Sequence, residues 1–473
     1  MDTGEFRYWA HQMADWMADY FEQVGDYPVK PSIMPGDIKK QLPVAAPEQG
    51  EDFARQFEDF KKIIFPGMTH WQHPGFFAYF PASRSAPSVL AEMLTAAMGA
   101  QCMIWYTSPA AEELEERCME WLRGMLALPE EWTGVIQETA SAATLIALLM
   151  ARERASGFEI NQKGFYGRTP MPIYASGQVH SSIPKAVKIA GFGEENLVIV
   201  PTDEHFALLP EALEAAILKD LEAGLHPLAV VAAMGTTSST AIDPLAPIGR
   251  ICKKYGLFLH VDAAYAGAAL LLPEMRWMAE GLEMADSFVF NPHKWLFVNF
   301  DCTAFYVKDK ALLQNTFSIL PEYLKTPLDK QVNNYRDWGI QLGRRFRALK
   351  LWFVLRTYGI EGLQERLREH IRIGQWLKAE VERHPDFELL APVPLNLVCF
   401  RFHPPAVHDE TELNRLNEQL LQKLNDSGKI LLTQTRLDGK YTLRLVAGQV
   451  DTCLEDVRKG WALVCETAAG LGA

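Results

Sequence analysis

The chain of 473 residues is poor in the features that would settle its class at once. It has no excess of basic charge: a net charge of -13 without any Lys/Arg run argues against an electrostatic nucleic-acid footprint. No apolar run approaches the roughly 18 residues that suggest a membrane span. The opening "MDTGEFRYWAHQMADWM" is not a basic segment followed by a clean apolar stretch, so no signal peptide is expected. The seven cysteines (102, 118, 252, 302, 399, 453 and 465) are scattered and form no C-x-x-C pair. That argues against a disulfide framework or a cysteine zinc site, and makes a reducing, cytoplasmic setting the expectation. Repeats and low-complexity segments are absent too, and no metal is expected.

What is present is ordinary for a soluble globular chain, with 48% hydrophobic and 22% charged residues. The length implies two or three domains, or one large domain with appendages. Residues 1–85 read as a helical arm: Phe6, Trp9, Met13, Trp16, Met17 and Tyr20 recur at spacings of three and four. Prolines at 28, 31, 35 and 43 then interrupt regular structure. Residues 86–360 alternate helical patterns with short apolar runs at 171–175, 197–200, 228–233, 257–261 and 287–290. Such alternation predicts an α/β domain with a mostly parallel sheet covered on both faces. Residues 361–473 mix a helical pattern with β-like "LNLVCFRF" and "YTLRLVAG", which predicts a small α+β domain.

Ligands of open α/β sheets bind at the carboxyl ends of the strands, and several predicted strands end in polar residues. Asp262 closes the run 257–261; taken alone it is a helix cap, a structural ion pair or a site carboxylate. Lys294 follows the run 287–290, in "NPHKW". A lysine there either snorkels to solvent or, desolvated, becomes a nucleophile for a carbonyl. Thr139, Ala140 and Ser141 precede an apolar helical run, either as a phosphate seat or as an ordinary cap. His180 follows a strand and a Ser/Gly turn, and Thr237 lies in "MGTTSS" after another strand. Together, a lysine, a carboxylate and a phosphate seat match what pyridoxal phosphate requires.

With "THWQHPGFFAYFPASRS", "HVDAAYAG", "NPHKW" and "LGRRFRALKLWFVLRTYG", the chain resembles the group II pyridoxal-phosphate decarboxylases, most closely the aromatic-L-amino-acid decarboxylases. The resemblance runs nearly end to end and is looser over the last hundred residues. It implies the fold type I, aspartate aminotransferase-like architecture and a homodimer that binds a small aromatic amino acid. It implies that Lys294 binds the cofactor aldehyde, Asp262 pairs with the ring nitrogen and His180 stacks on the ring. Thr139, Ala140 and Ser141 would contact the phosphate, with Asn291, His293 and Thr237 as further cofactor contacts. Ala142 stands where relatives often carry glutamate. Tyr335, in "NNYRDWG", would sit on a mobile loop and return a proton to carbon after CO2 leaves. Trp71, Tyr79, Phe80, Pro81, Ile104 and Trp105 would form the wall against an aromatic substrate.

The expected activity is therefore decarboxylation of an aromatic L-amino acid to its arylalkylamine. The alternatives are a histidine or other amino-acid decarboxylase, an aromatic aldehyde synthase, and a non-catalytic binding protein on the same fold.

Overall fold

The computed structural model describes residues 1–319, 324, 326–329 and 331–471. A seven-stranded sheet organises most of the chain: β1 (Thr133–Gln137), β2 (Ile173–Ser176), β3 (Leu197–Val200), β4 (Ala229–Ala233), β5 (Phe258–Asp262), β6 (Ser287–Phe290) and β7 (Thr303–Val307). The spatial order is β1-β7-β6-β5-β4-β2-β3. From β6 through β3 all neighbours are parallel, and β7 is antiparallel to both β6 and β1. Two strands antiparallel to the same third strand run the same way, so β1 points with β6.

Helices cover both faces, and β2, β4 and β6 are buried along their whole length. This explains why these strands read as unbroken apolar runs rather than alternating ones. The sheet therefore has the mostly parallel, helix-covered character expected. Its two unforeseen strands, β1 and β7, supply the antiparallel pairing at one end.

A second, four-stranded sheet comprises β8 (Phe387–Leu389), β9 (Leu397–Phe402), β10 (Thr433–Leu437) and β11 (Lys440–Val446). Its order is β10-β11-β9-β8 and every pair is antiparallel. The Glu410–Asp426 and Leu454–Ala469 helices accompany it. The long Arg347–Arg383 helix runs from the first sheet's environment to the second, and is broken at Gly359, whose φ is 64°.

At the other end, the Thr3–Gln23 helix buries none of its residues within one chain. The chain between it and the first sheet joins the second one: Phe77 N donates to Leu431 O, and Val446 N donates to Phe77 O. Residues 76–85 are thereby tied to β11 before they reach the loop that carries Lys294. Among the described residues no helix is long and apolar enough to cross a membrane.

Candidate active site

The shared direction of β1, β2, β4, β5 and β6 places the carboxyl ends of all five strands along one sheet edge. A cavity of about 170 Å³ opens there. It is lined by Thr139, Ala140 and Ser141 after β1, His180 after β2, Thr237 after β4, Asp262 at the end of β5, and Asn291, His293 and Lys294 after β6. Phe80 closes one side. Ala233, Gly235, Thr236, Ala264 and Tyr265 also line it, and sequence reasoning gave them no role. Gly235 had a readable signal as a glycine directly after an apolar strand. It adopts φ +88°, and a Cβ there would come within 2.6 Å of the Ala266 Cβ.

Lys294 is partly buried, with its ammonium nitrogen 5.4 Å from the centroid of the Phe80 ring. That nitrogen has no hydrogen-bond or ion-pair partner among the described residues. Burial pushes its pKa below the ordinary lysine value, and the charge of Asp262 opposes the shift. Asp262 Oδ1 accepts from Ala264 N at 3.0 Å. His180 Nδ1 accepts from Ser182 N at 3.1 Å and lies 2.9 Å from Ser182 Oγ, so a neutral ring carries its proton on Nε2. Burial first, and then Lys294, lower the His180 pKa. His293 is pushed down to about 3, chiefly by burial, and is neutral; its Nδ1 accepts from Cys302 N at 3.0 Å.

Thr139 caps the Ala140–Ser156 helix, its side chain accepting from Ala142 N at 3.3 Å. Thr139, Ala140 and Ser141, at the start of that helix, line the cavity, and a helix N-terminus there suits an anion. The donor set fits pyridoxal phosphate. An unpartnered, desolvated amine, a carboxylate and a helix N-terminus share one cavity, and each answers a different group of that molecule.

Two distant segments hold the cavity in shape. Ser83 N donates to His293 O at 3.1 Å, and Ser83 Oγ donates to Lys294 O at 2.7 Å. Ser85 Oγ donates to Phe297 O at 2.7 Å. From β11, buried Arg444 donates to Thr237 O (2.8 Å), Ser238 O (3.0 Å) and Thr433 Oγ1 (2.9 Å). Tyr265 stacks between Phe80 and Trp295, at centroid distances of 3.9 and 4.9 Å.

Tyr335, expected to return the proton, does not line this cavity within one chain. Tyr335 is 2% exposed and packs edge-on against Trp338 at 4.9 Å, with the Arg344 guanidinium 4.7 Å from its ring centroid. Its backbone N donates to Glu112 Oε2 at 3.3 Å, and it does not line the Lys294 cavity. Within one chain, Tyr335 belongs to an apolar cluster with Trp338. The polar segment expected as a lid, 324–337, falls partly outside the described residues at 325 and 330.

The expected aromatic wall is likewise divided. Only Phe80 lines the cavity. Trp71 and Tyr79 stack on each other at 5.7 Å and are 37% and 54% exposed. Pro81 is buried near Gly448, and Ile104 is buried. Trp105 Nε1 donates to Glu113 Oε1 at 2.8 Å, facing a different cavity. Among the described residues no His/Cys/Asp/Glu group could hold a metal ion.

Comparison with known proteins gives a consistent picture. Residues 35–403 match the family model described as the pyridoxal-dependent decarboxylase conserved domain. Phenylacetaldehyde synthase of Arabidopsis thaliana is 42% identical, over 100% of this chain and 97% of that protein. Tryptophan decarboxylase 2 of Oryza sativa subsp. japonica is 41% identical, over 99% of this chain and 95% of that protein. The crystal structure of Oryza sativa TDC with PLP and tryptamine superposes with a TM-score of 0.96 at 35% identity, covering 100% of this chain and 99% of that one.

Proposed function

The chain belongs to the pyridoxal-dependent decarboxylase family, and from that premise we propose that it decarboxylates an aromatic L-amino acid to the arylalkylamine and CO2. The carrying observation is the unpartnered Lys294 amine beside Asp262 in a cavity walled by Phe80 and Tyr265.

Bound pyridoxal phosphate supplies an aldehyde carbon and a ring that accepts the electron pair left as CO2 departs. Lys294 is the amine that would hold the cofactor through that aldehyde. Its desolvated nitrogen is held toward the uncharged, nucleophilic form. Asp262 would hold a proton on the ring nitrogen. Thr139, Ala140 and Ser141 would seat the phosphate at the helix N-terminus, with Asn291 and His293 as further cofactor contacts. Asn291 is fixed by the Thr303 hydroxyl, which donates to its Oδ1 at 2.8 Å. Thr237 and His180, the latter oriented by Ser182, line the same cavity and would hold the cofactor ring. Phe80 meets the aromatic side chain by offset or edge contact.

A second copy of the chain completes the assembly. Leu90, Met93, Leu94 and Met98 form an exposed apolar stripe on the Ala86–Met98 helix, and Phe6 and Tyr8 are exposed on the N-terminal helix. Apolar stripes of this kind favour association. A monomer in sedimentation that retained full turnover would count against the dimer.

Aromatic aldehyde synthesis is the second reading, favoured by the burial of Tyr335 away from the cavity. It consumes O2 and water and yields aldehyde, CO2, ammonia and hydrogen peroxide. Product analysis with tryptophan, tyrosine, phenylalanine, 5-hydroxytryptophan, DOPA and histidine separates the readings. Amine without peroxide from an aromatic substrate supports decarboxylation, and aldehyde with peroxide and ammonia overturns it.

A further inference from the structure

Strand β5 carries a second polar residue, His260, which does not line the Lys294 cavity. It is fully buried, as are Thr144 and Ser287, the two side chains that hold its ring. His260 Nδ1 lies 2.9 Å from Ser287 Oγ, and its Nε2 lies 3.3 Å from Thr144 Oγ1. Burial pushes its pKa down to about 4, against the charge of Asp262, so the ring is neutral. It stands edge-on to Phe305, with ring centroids 6.3 Å apart.

These three residues belong to the three elements that bring the cofactor contacts to the cavity. Thr144 lies one turn into the Ala140–Ser156 helix, four residues after Ala140 and so on the same side of it. His260 and Asp262 are two apart on β5 and project from one face of the sheet. Ser287 begins β6, the strand that leads to Lys294, and is the register partner of His260. One imidazole therefore ties the phosphate-seating helix to both strands. Helix threonines commonly turn the hydroxyl back on the carbonyl four residues earlier, as Thr316 and Thr467 do on Leu312 O and Leu463 O. Thr144 instead reaches across to the sheet. An apolar filling of the same shape would be about as stable as this buried trio, so its contribution lies in fixing positions.

We infer that His260 is a positioning residue, which sets the phosphate-seating helix in register with Asp262 and Lys294. A ligand that spans both ends of the cavity gains from that alignment, and its two halves taken separately do not. The inference rests on pyridoxal phosphate occupying this cavity, and on neither of the two reactions.

The test is absorbance titration of the full chain, freed of cofactor, with pyridoxal 5'-phosphate and with pyridoxal, and with inorganic phosphate as a competitor. Thr144→Val and Ser287→Ala each cut one bond to the ring with little change of volume, and either carries the test if the other fails to fold. Each is expected to raise the Kd of pyridoxal phosphate about tenfold, and to leave those of pyridoxal and of phosphate within about twofold. A parent-like Kd for pyridoxal phosphate in either folded variant overturns the inference. So does an equal loss for all three ligands, which marks general damage to the cavity. A loss shared by pyridoxal phosphate and only one of its halves also overturns it, because that marks damage to one end. A parent protein that takes up no pyridoxal phosphate overturns the cofactor reading, and this inference with it.

Discussion

Ser83 Oγ donates a 2.7 Å hydrogen bond to the main-chain carbonyl of Lys294, across 211 positions of sequence. With Ser83 N on His293 O and Ser85 Oγ on Phe297 O, the segment 83–85 fastens the turn that presents the lysine. The nucleophile's aim thus depends on a segment that is itself tied to β11 through Phe77.

Ser83→Ala removes one of these bonds and leaves a buried carbonyl short of a donor, at a cost of about 1–3 kcal/mol. The expected result is a fall in kcat of roughly tenfold, with weaker retention of pyridoxal phosphate on dialysis. Lys294→Ala, by contrast, is expected to abolish both turnover and the visible absorbance of bound cofactor while circular dichroism stays native. Turnover surviving in Lys294→Ala would sink the proposed chemistry.

Arg444 supplies three hydrogen bonds from the second sheet to the Thr237–Ser238 turn and Thr433. Arg444→Lys keeps the charge but loses the planar fork that reaches several acceptors at once. Cofactor affinity, read by absorbance titration of the apoprotein, is expected to drop by about tenfold or more, and Arg444→Met further still. Equal affinity in all three proteins would show that the turn holds itself.

Tyr335 is packed as a core residue, and its variants should behave accordingly. Tyr335→Ala removes a buried ring and is expected to cost about 3–5 kcal/mol in denaturant unfolding. Tyr335→Phe keeps the packing, so the ratio of amine to aldehyde is expected to match that of the parent protein. A switch to aldehyde and peroxide in Tyr335→Phe would return this phenol to the chemistry.

The contrast between Lys294 and Tyr335 shows what was legible in the sequence. Strands β3 and β6 were readable to the residue as continuous apolar runs; β6 is buried throughout, whereas β3 is an edge strand in which only Val200 is buried. Lys294, Asp262 and His180 follow such runs within a few residues, the Thr139 cap precedes an apolar helical run, and topology carries the strand ends to one edge. β1 and β7 escaped because a glycine weakens the first, and only Asn299 and Asp301 separate the second from the apolar residues after Lys294. Tyr335 looked like a loop residue because its neighbours in sequence are polar. Its burial comes from Trp338 and Arg344, which no local pattern reveals. Ser83 and Arg444 were invisible for the same reason, since their partners lie about two hundred residues away.

Glu112 gives the chain a pH dependence with a definite sign. Burial first, then the charge of Glu115 on its own helix, push its pKa from 4.5 up to about 8. Arg344, Arg336 and the Tyr335 N–H act in the opposite direction. The folded chain therefore holds this proton more tightly than the unfolded one. The associated stability is fully present below pH 4.5, and is lost as pH rises through about 8. Each pKa unit corresponds to roughly 1.4 kcal/mol, so the loss amounts to a few kcal/mol at most. Glu112→Gln keeps an acceptor for Tyr335 N and removes the ionisation. Its melting temperature is expected to lie close to that of the parent protein at pH 5 and several degrees above it at pH 8.5, measured by calorimetry in the same buffers. Parallel pH profiles for the two proteins would show that Glu112 does not titrate in this window.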